Sequence, residues 1–173
     1  MDSLDGYVAD DELAIGPLRE LGWEVETLSW RTPSVDWDIF EAVVIRTTWD
    51  YQRDPDAFLN VLRRIELSDA RLENSLEIVR WNLDKSYLRD LEYDGVNIVP
   101  SLWERSYDAA SFGGWLDELG CEEVIIKPTV SATAEHTYRL REFDPSLASI
   151  FAERPFMVQP FLPSIVTEGE YSL

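Results

Sequence analysis

Segments patterned as β-strands alternate with segments patterned as α-helices along this 173-residue chain, and this alternation restricts its fold more than any other feature. Residues 42–45 (Ala-Val-Val-Ile) form the continuous apolar run of a strand buried on both faces. Strands that alternate with helices build parallel, layered sheets, so we predict an α/β fold for residues 1–74. The elements predicted there are a helix that follows Asp10 and Asp11 and runs through Leu21, a strand over 23–30, a strand over 42–45 and a helix that begins at Asp54-Pro55.

The second part of the chain has more strand segments than helical ones and predicts an α+β unit over residues 75–173. Its predicted strands cover 98–101, 123–127, 137–141, 156–159 and 164–173, and its predicted helices cover 84–93, 108–119 and a short segment from Asp144-Pro145. No strand pattern precedes the first helix of the chain, and no helix pattern follows the last strand. We therefore expect the chain to be truncated at both ends.

Composition excludes several classes of function. A formal net charge of −19 argues against a nucleic-acid partner, because phosphate backbones are bound by lysine and arginine. A single cysteine excludes a disulfide framework and a cysteine cage for a metal. The chain has no apolar run of about 18 residues that would span a membrane, and its acidic first segment is unlike a secretory signal. We expect a cytoplasmic protein.

The basic residues are distributed unevenly between lysine and arginine. Thirteen of the 15 are arginine, and only Lys85 and Lys127 are lysine. Lysine is a compact point charge that can meet a phosphate end-on, whereas arginine is a wide planar fork. Two lysines that persist in such a chain indicate either a phosphate site or two surface residues retained by chance, and their local contexts distinguish these alternatives.

Lys127 ends the apolar segment 124–127 and is followed by Pro128 and a loop of small and hydroxyl residues, 129–134. Small residues allow backbone N–H groups to close over a polyphosphate while the lysine meets a phosphate oxygen. The loop lacks the glycines of a Walker loop. On this stretch alone, a surface lysine before a polar turn explains the pattern equally well.

Lys85 lies in the segment Asn82-Leu83-Asp84-Lys85, where we predict the first turn of a helix capped by Asp84. The helix dipole disfavours a cation there, and a bound anion would explain the placement; a solvated lysine that bears a cost of only about 0.3–1 kcal/mol is the alternative.

A third segment, 157–162 (Met-Val-Gln-Pro-Phe-Leu), has the pattern of an apolar strand and a turn and could offer backbone groups and apolar walls to an adenine ring.

Taken in this order, the three segments resemble the ATP-grasp superfamily, and within it the prokaryotic glutathione-synthetase-like group, which includes the O-ureidoserine cyclase of cycloserine biosynthesis. The similarity extends to residues 43–51 and 168–173 and so covers nearly the whole chain. It implies an incomplete pre-ATP-grasp parallel α/β domain over 1–74, followed by the N-terminal portion of an ATP-grasp domain over 75–173.

The resemblance implies an ATP site. Both lysines would contact phosphates, and Lys127 would also approach adenine. A mobile loop would cover the β- and γ-phosphates. A hinge segment would hold adenine, and one of two glutamates would bind ribose. The residues at these positions are Lys85 and Lys127, the loop residues Ser131, Ala132 and Thr133, the hinge residues Gln159, Phe161 and Leu162, and Glu168 or Glu170.

The activity that the resemblance implies is that of an ATP-dependent carboxylate–amine ligase. Such an enzyme transfers the γ-phosphoryl group to a carboxylate, an amine attacks the acyl phosphate, and ADP and phosphate are released. Family members hold Mg²⁺ and place a catalytic arginine in strands that would lie beyond Leu173, so we expect no metal ligand within this chain and leave its catalytic residues unassigned. Family members are often dimers or tetramers, which makes a homo-oligomer an expectation.

The segment after the strand at 42–45 is the best candidate for a small-molecule substrate, because ligands of α/β sheets gather beyond the carboxyl ends of strands. It comprises Arg46, Thr47, Thr48, Trp49 and Asp50, with Arg46 suited to a carboxylate. The alternative, slightly favoured, is that Trp49 and Tyr51 pack under the neighbouring helix.

Several other residues have plainer explanations. We interpret His136 as solvated or locally bonded rather than as a nucleotide contact, Asp36 and Asp38 as parts of a solvated turn, and Cys121 as structural. Two further hypotheses remain for the whole chain. One is a truncated, non-catalytic nucleotide-binding or structural remnant, and the other is an unrelated flavodoxin-like binding module whose lysines coincide with the family positions.

Overall fold

The computed structural model describes residues 9–169. Contacts within the chain divide it into two units, Met1–Leu83 and Asp84–Leu173. The first unit contains a parallel sheet and the second an antiparallel sheet, which confirms the predicted sequence of an α/β part followed by an α+β part. In the described part of the chain, no helix is long and apolar enough to cross a membrane.

The first unit is built around a pair of parallel strands. Its elements are α1 (Asp11–Glu20), β1 (Ala42–Val44), α2 (Pro55–Glu66), β2 (Arg71–Glu73) and α3 (Leu76–Asn82), with 3₁₀ turns at Trp37–Ile39 and Tyr51–Arg53. Strands β1 and β2 pair with Ala42 opposite Arg71 and Val44 opposite Glu73. Helix α2 connects them, so the predicted parallel sheet is confirmed, although the sequence pattern did not predict β2.

Helix α2 shows why this part of the prediction succeeds. The Asp54 side chain accepts a hydrogen bond from Ala57 N at 3.1 Å, and proline occupies the first helical position. Phe58, Leu62 and Ile65, spaced three and four apart, are all buried. The helix therefore begins at the predicted cap and buries one apolar face.

Two predictions for the first unit are wrong. Residues 23–29 form no strand, although their apolar and polar side chains alternate. Strand β1 is present but is not buried on both faces, since Val44 at its end is 57% exposed. Alternation and apolar character favour an extended backbone, but a strand also needs a partner that accepts its hydrogen bonds.

The second unit is a four-stranded antiparallel sheet with helices. Its elements are α4 (Tyr87–Tyr93), β3 (Leu102–Glu104), α5 (Ala109–Leu119), β4 (Val124–Pro128), β5 (Tyr138–Leu140), a 3₁₀ turn (Pro145–Leu147), α6 (Ala148–Phe151), β6 (Phe156–Pro160) and α7 (Ser164–Thr167). The strand order is β3-β6-β4-β5. The predicted strands at 123–127, 137–141 and 156–159 and the predicted helix at 108–119 are confirmed.

The two faces of this sheet have different chemistry. Alternate residues of β4, Val124, Ile126 and Pro128, are buried on one face, where Phe112 and Trp115 of α5 belong to the same apolar cluster. Lys127 belongs to the alternate set, so it lies on the opposite face. The core therefore fixes β4 on one side, and the other side carries Ile125 and Lys127, with the buried Met157 opposite Lys127.

Three predictions for the second unit are wrong. Residues 98–101 form no strand, and the strand in this region is β3. Residues 164–167 form the helix α7 rather than a strand, with Thr167 N donating to Pro163 O at 3.3 Å. Lys85 precedes α4 instead of lying in its first turn, so the dipole argument for an anion does not apply to it.

Candidate functional site

The Lys85 side chain contacts the loop that follows β4. Its Nζ donates to the carbonyl of Ser131 at 2.7 Å and to the Ser131 hydroxyl at 2.8 Å. The hydroxyl in turn donates to the carbonyl of Pro128 at 3.1 Å. Two residues that the sequence analysis selected separately, 46 positions apart, are therefore brought into direct contact.

The second lysine lies close enough to influence the first electrostatically. Burial lowers the pKa of Lys85, the nearby positive charge of Lys127 lowers it further, and Asp84 opposes both effects, so the pKa falls to about 8. The ammonium group of Lys127 is thus near enough to Lys85 to affect its protonation. Such a pair can bind an anion that carries more than one negative charge.

The loop between β4 and β5 turns through unusual backbone conformations. Thr133, Ala134 and His136 have φ values of 53°, 57° and 56°, in the left-handed region that non-glycine residues rarely adopt. Ser131 is buried, Ala132 is partly buried and Thr133 is exposed. The loop therefore extends from an anchored beginning to an exposed tip.

Asp84 and Thr129 are site residues whose roles the sequence analysis missed. Thr129 Oγ1 donates to Asp84 Oδ2 at 2.9 Å, and the backbone N of Lys85 donates to Thr129 O at 2.8 Å. The sequence places Asp84 beside Lys85 and Thr129 in the hydroxyl-rich loop, but it contains no signal that the two segments meet.

The predicted hinge begins on the same face of the sheet as Lys127. Gln159 lies opposite Ile125 in the β4–β6 register, and Ile125 and Lys127 are two positions apart, so all three side chains share one face. Gln159 is only 8% exposed, and its Nε2 donates to Ser101 Oγ at 2.8 Å. This bond fixes the Gln159 side chain.

Of the remaining hinge residues, Phe161 lies next to an arginine. The guanidinium of Arg139 lies 3.4 Å from the centre of the Phe161 ring, and Phe161 N donates to the carbonyl of Glu123 at 2.9 Å. The Glu123 carboxylate accepts hydrogen bonds from Arg139 and Arg141, which lower the pKa of that carboxyl despite the opposing effect of desolvation. Leu162 is 37% exposed. Arg139 is a further residue that the sequence analysis did not select.

Of the two candidate ribose ligands, one is described. Glu168 is exposed at the end of α7, and its backbone N donates to Ser164 O at 2.7 Å. Glu170 lies outside the described residues.

The proposed substrate segment belongs to the first unit and is held by ion pairs. Arg46 Nε lies 2.7 Å from Asp11 Oδ1. Asp50 accepts hydrogen bonds from Trp30 Nε1 at 2.8 Å and from Arg31 Nε at 3.1 Å. Burial raises the pKa of Asp50, but these two hydrogen bonds outweigh it and the net pKa is lowered. Asp50 thus ties the segment to the chain around Trp30.

The neighbouring aromatic residues behave differently from each other. The Tyr51 ring lies 5.7 Å from that of Phe58 on α2, so the packing alternative is confirmed for Tyr51. Trp49 instead contributes to a cleft of about 270 Å³. The cleft is lined by Ala9, Asp10, Asp11, Arg46, Thr47 and Trp49.

The plainer explanations for the other candidates agree with the structure. His136 Nδ1 lies 3.5 Å from the Tyr138 hydroxyl, a local contact. Cys121 packs beside the core of the second unit. Asp36 accepts a hydrogen bond from Asp38 N at 3.3 Å, as in a turn. Among residues 9–169, no three histidine, cysteine or acidic side chains are grouped closely enough to hold a metal ion.

Comparisons with known proteins connect both units to one relative. Residues 1–74 match the family described as D-cycloserine synthetase DcsG, N-terminal domain. The cycloserine biosynthesis protein DcsG of Streptomyces lavendulae is 30% identical over 164 residues, which are 90% of this chain and 54% of that protein. The chain therefore spans about half the length of this relative.

Solved structures extend the similarity. The crystal structure of D-cycloserine synthetase DcsG has a TM-score of 0.75 at 27% identity, covering 93% of this chain and 58% of that one. A RimK domain ATP-grasp protein from Sphaerobacter thermophilus has a TM-score of 0.63 at 19% identity, covering 94% and 62%. The ATP-grasp ligase PsnB, complexed with precursor peptide PsnA2 and AMPPNP, has a TM-score of 0.54 at 20% identity, covering 93% and 62%. The last two likenesses concern the fold.

Proposed function

Since the chain is homologous to DcsG and its structure matches those of ATP-grasp ligases, we propose that its second unit binds ATP. We propose further that the whole protein is an ATP-dependent carboxylate–amine ligase that works through an acyl phosphate and releases ADP and phosphate. The nucleotide in PsnB and the cycloserine biosynthesis role of DcsG support these proposals.

One observation carries the proposal of ATP binding. Lys85 and Lys127 are the two lysines of the chain, and the positive charge of Lys127 lies close enough to lower the pKa of Lys85. A phosphate chain between them would relieve this repulsion and repay part of the cost of burying Lys85. The bonds from Lys85 to Ser131 support the proposal that the loop residues 131–133 cover the phosphates.

The adenine would lie toward the end of β6. Gln159 shares the face of Lys127, and Phe161 and Leu162 follow the strand. The Phe161 ring, fixed by Arg139, would supply an apolar wall beside the backbone of the hinge. Glu168 or Glu170 would bind the ribose hydroxyls.

The carboxylate substrate would be held by the first unit. Arg46 offers a guanidinium at the edge of the cleft that contains Trp49. Its present partner is Asp11, with which it forms an exposed ion pair. Breaking an exposed ion pair of this kind costs little free energy. A substrate carboxylate would then replace Asp11.

The experiment that tests ATP binding is calorimetric titration of the chain with Mg-AMPPNP. We expect saturable binding that weakens by about 10- to 150-fold in Lys127→Met, the loss expected for one charged hydrogen bond. Arg154→Met is the matched control, because it removes one positive charge from an exposed position of the same unit. Equal affinity of wild type, Lys127→Met and Arg154→Met would overturn the proposed site.

A turnover assay separates the ligase from the alternative suggested by the sequence. Release of ADP and phosphate that depends on both a carboxylate and an amine supports the ligase. Nucleotide binding with no such release supports a chain that only binds the nucleotide. If neither binding nor turnover is found, the proposed function is wrong.

A further inference from the structure

Asp84 makes two hydrogen bonds that connect both sides of the lysine site. Its Oδ1 accepts from Ser86 N at 2.8 Å, and its Oδ2 accepts from Thr129 Oγ1 at 2.9 Å. The first bond fixes the backbone just after Lys85. The second joins this segment to the beginning of the loop that follows β4, 45 positions away in the sequence.

Thr129 is anchored independently of Asp84. Its backbone N donates to Pro155 O at 3.0 Å, just before β6, and its carbonyl accepts from Lys85 N at 2.8 Å. Its side chain is buried, with the residue only 5% exposed. If the hydroxyl is removed, the Asp84 carboxylate loses one of its hydrogen bonds. Leaving a buried polar group without its partner is costly, so we expect this contact to be costly to break.

We propose that Asp84 and Thr129 are positioning residues that hold Lys85 against the loop in the place where it binds phosphate. Asp84 adds an electrostatic contribution. The groups whose charges act on Lys85 are Lys127, which disfavours its protonated form, and Asp84, which favours it. The phosphate part of this inference rests on the proposed function, whereas the electrostatic effect of Asp84 on Lys85 does not.

The electrostatic effect of Asp84 on Lys85 can be measured without nucleotide, because the chain has only two lysines. Isotope-labelled lysine incorporated into the chain gives two side-chain NMR signals, and the signal missing from Lys85→Arg identifies Lys85. We expect this signal to titrate near pH 8 in the wild type, at a lower pH in Asp84→Asn and at a higher pH in Lys127→Met. An unchanged Lys85 midpoint in Asp84→Asn would overturn the inference.

The role of Thr129 is tested by a matched pair of variants. Thr129→Val keeps the shape of the side chain and removes the hydroxyl, whereas Thr129→Ser keeps the hydroxyl. We expect Mg-AMPPNP affinity to fall about tenfold in Thr129→Val and to stay within about twofold of wild type in Thr129→Ser. Equal affinities in all three proteins would refute the positioning role of Thr129.

The two measurements distinguish failure of the proposed function from failure of the positioning role. If the wild type does not bind Mg-AMPPNP at all, the proposed function is wrong, and the lysine titration still decides whether the Asp84 charge acts on Lys85. If the wild type binds and neither Asp84→Asn nor Thr129→Val changes its readout, the proposed function survives and the positioning role is rejected.

Discussion

The ammonium group of Lys85 donates two hydrogen bonds to one residue, Ser131, at 2.7 Å to the carbonyl and 2.8 Å to the hydroxyl. A lysine has three N–H donors, so this arrangement leaves further capacity for a phosphate oxygen. The same bonds hold the beginning of the loop after β4. Protonation of Lys85 and placement of the loop are therefore linked, and this link leads to the first prediction.

Nucleotide affinity should depend on pH through Lys85. The pKa of this lysine is lowered to about 8, chiefly by burial and then by Lys127. Lysine is charged below its pKa, so affinity for Mg-AMPPNP should be highest below pH 8 and should fall above it by up to about tenfold per pH unit. Calorimetry between about pH 7 and pH 10 measures this. Lys85→Arg stays charged throughout, so its profile should be flat above pH 8; a wild-type profile equally flat would contradict the prediction.

Nucleotide affinity at the hinge should depend on Arg139 more than on Arg141. Both side chains bind Glu123, but only the Arg139 guanidinium is observed over the Phe161 ring, at 3.4 Å. Removing a contact of this kind costs about 0.5–1 kcal/mol. We expect Arg139→Ala to weaken Mg-AMPPNP binding by about two- to fivefold, and Arg141→Ala to change it less. Equal losses in the two variants would show that the ion pair, and not the ring contact, is responsible.

Glycine should be tolerated at Ala134. Ala134 has a φ of 57°, which costs an alanine about 1–2 kcal/mol. Glycine avoids this cost, but it also adds entropy to the unfolded chain, which opposes the gain in stability. We expect the free energy of unfolding of Ala134→Gly to equal or slightly exceed that of the wild type. Ala110→Gly, in the helix α5, should lower it by about 1 kcal/mol. Urea denaturation compares the two, and a comparable loss in both would show that the loop does not adopt this conformation.

The cap of α2 should contribute to the stability of the first unit. Asp54→Ala removes the hydrogen bond to Ala57 N and should lower the free energy of unfolding by about 1 kcal/mol. Asp56→Ala removes an equal charge from the same first turn and is the matched control. The difference between the two variants in urea denaturation isolates the hydrogen bond. No difference would mean that only the helix dipole matters.

Short-range patterns identified the elements whose signal is local. Asp54 and Pro55 begin α2 as predicted, because a cap and a fixed φ act within one helical turn. The alternation of buried residues in β4, from Val124 through Ile126 to Pro128, likewise requires only one apolar face. Residues 23–29 alternate too, yet form no strand, because a ladder depends on a second strand that their own sequence does not specify.

The candidate site likewise has a part that the sequence predicts and a part that it does not. The sequence by itself determined which residues to consider around the phosphates, because two lysines in so acidic a chain are conspicuous, and it predicted the strand that bears Lys127. Only the tertiary structure decided that Lys85 meets Ser131, that Thr129 binds Asp84 and that Arg139 covers Phe161. These contacts join residues far apart in the chain. Their geometry depends on how strands pair and a core packs, and no local pattern encodes that.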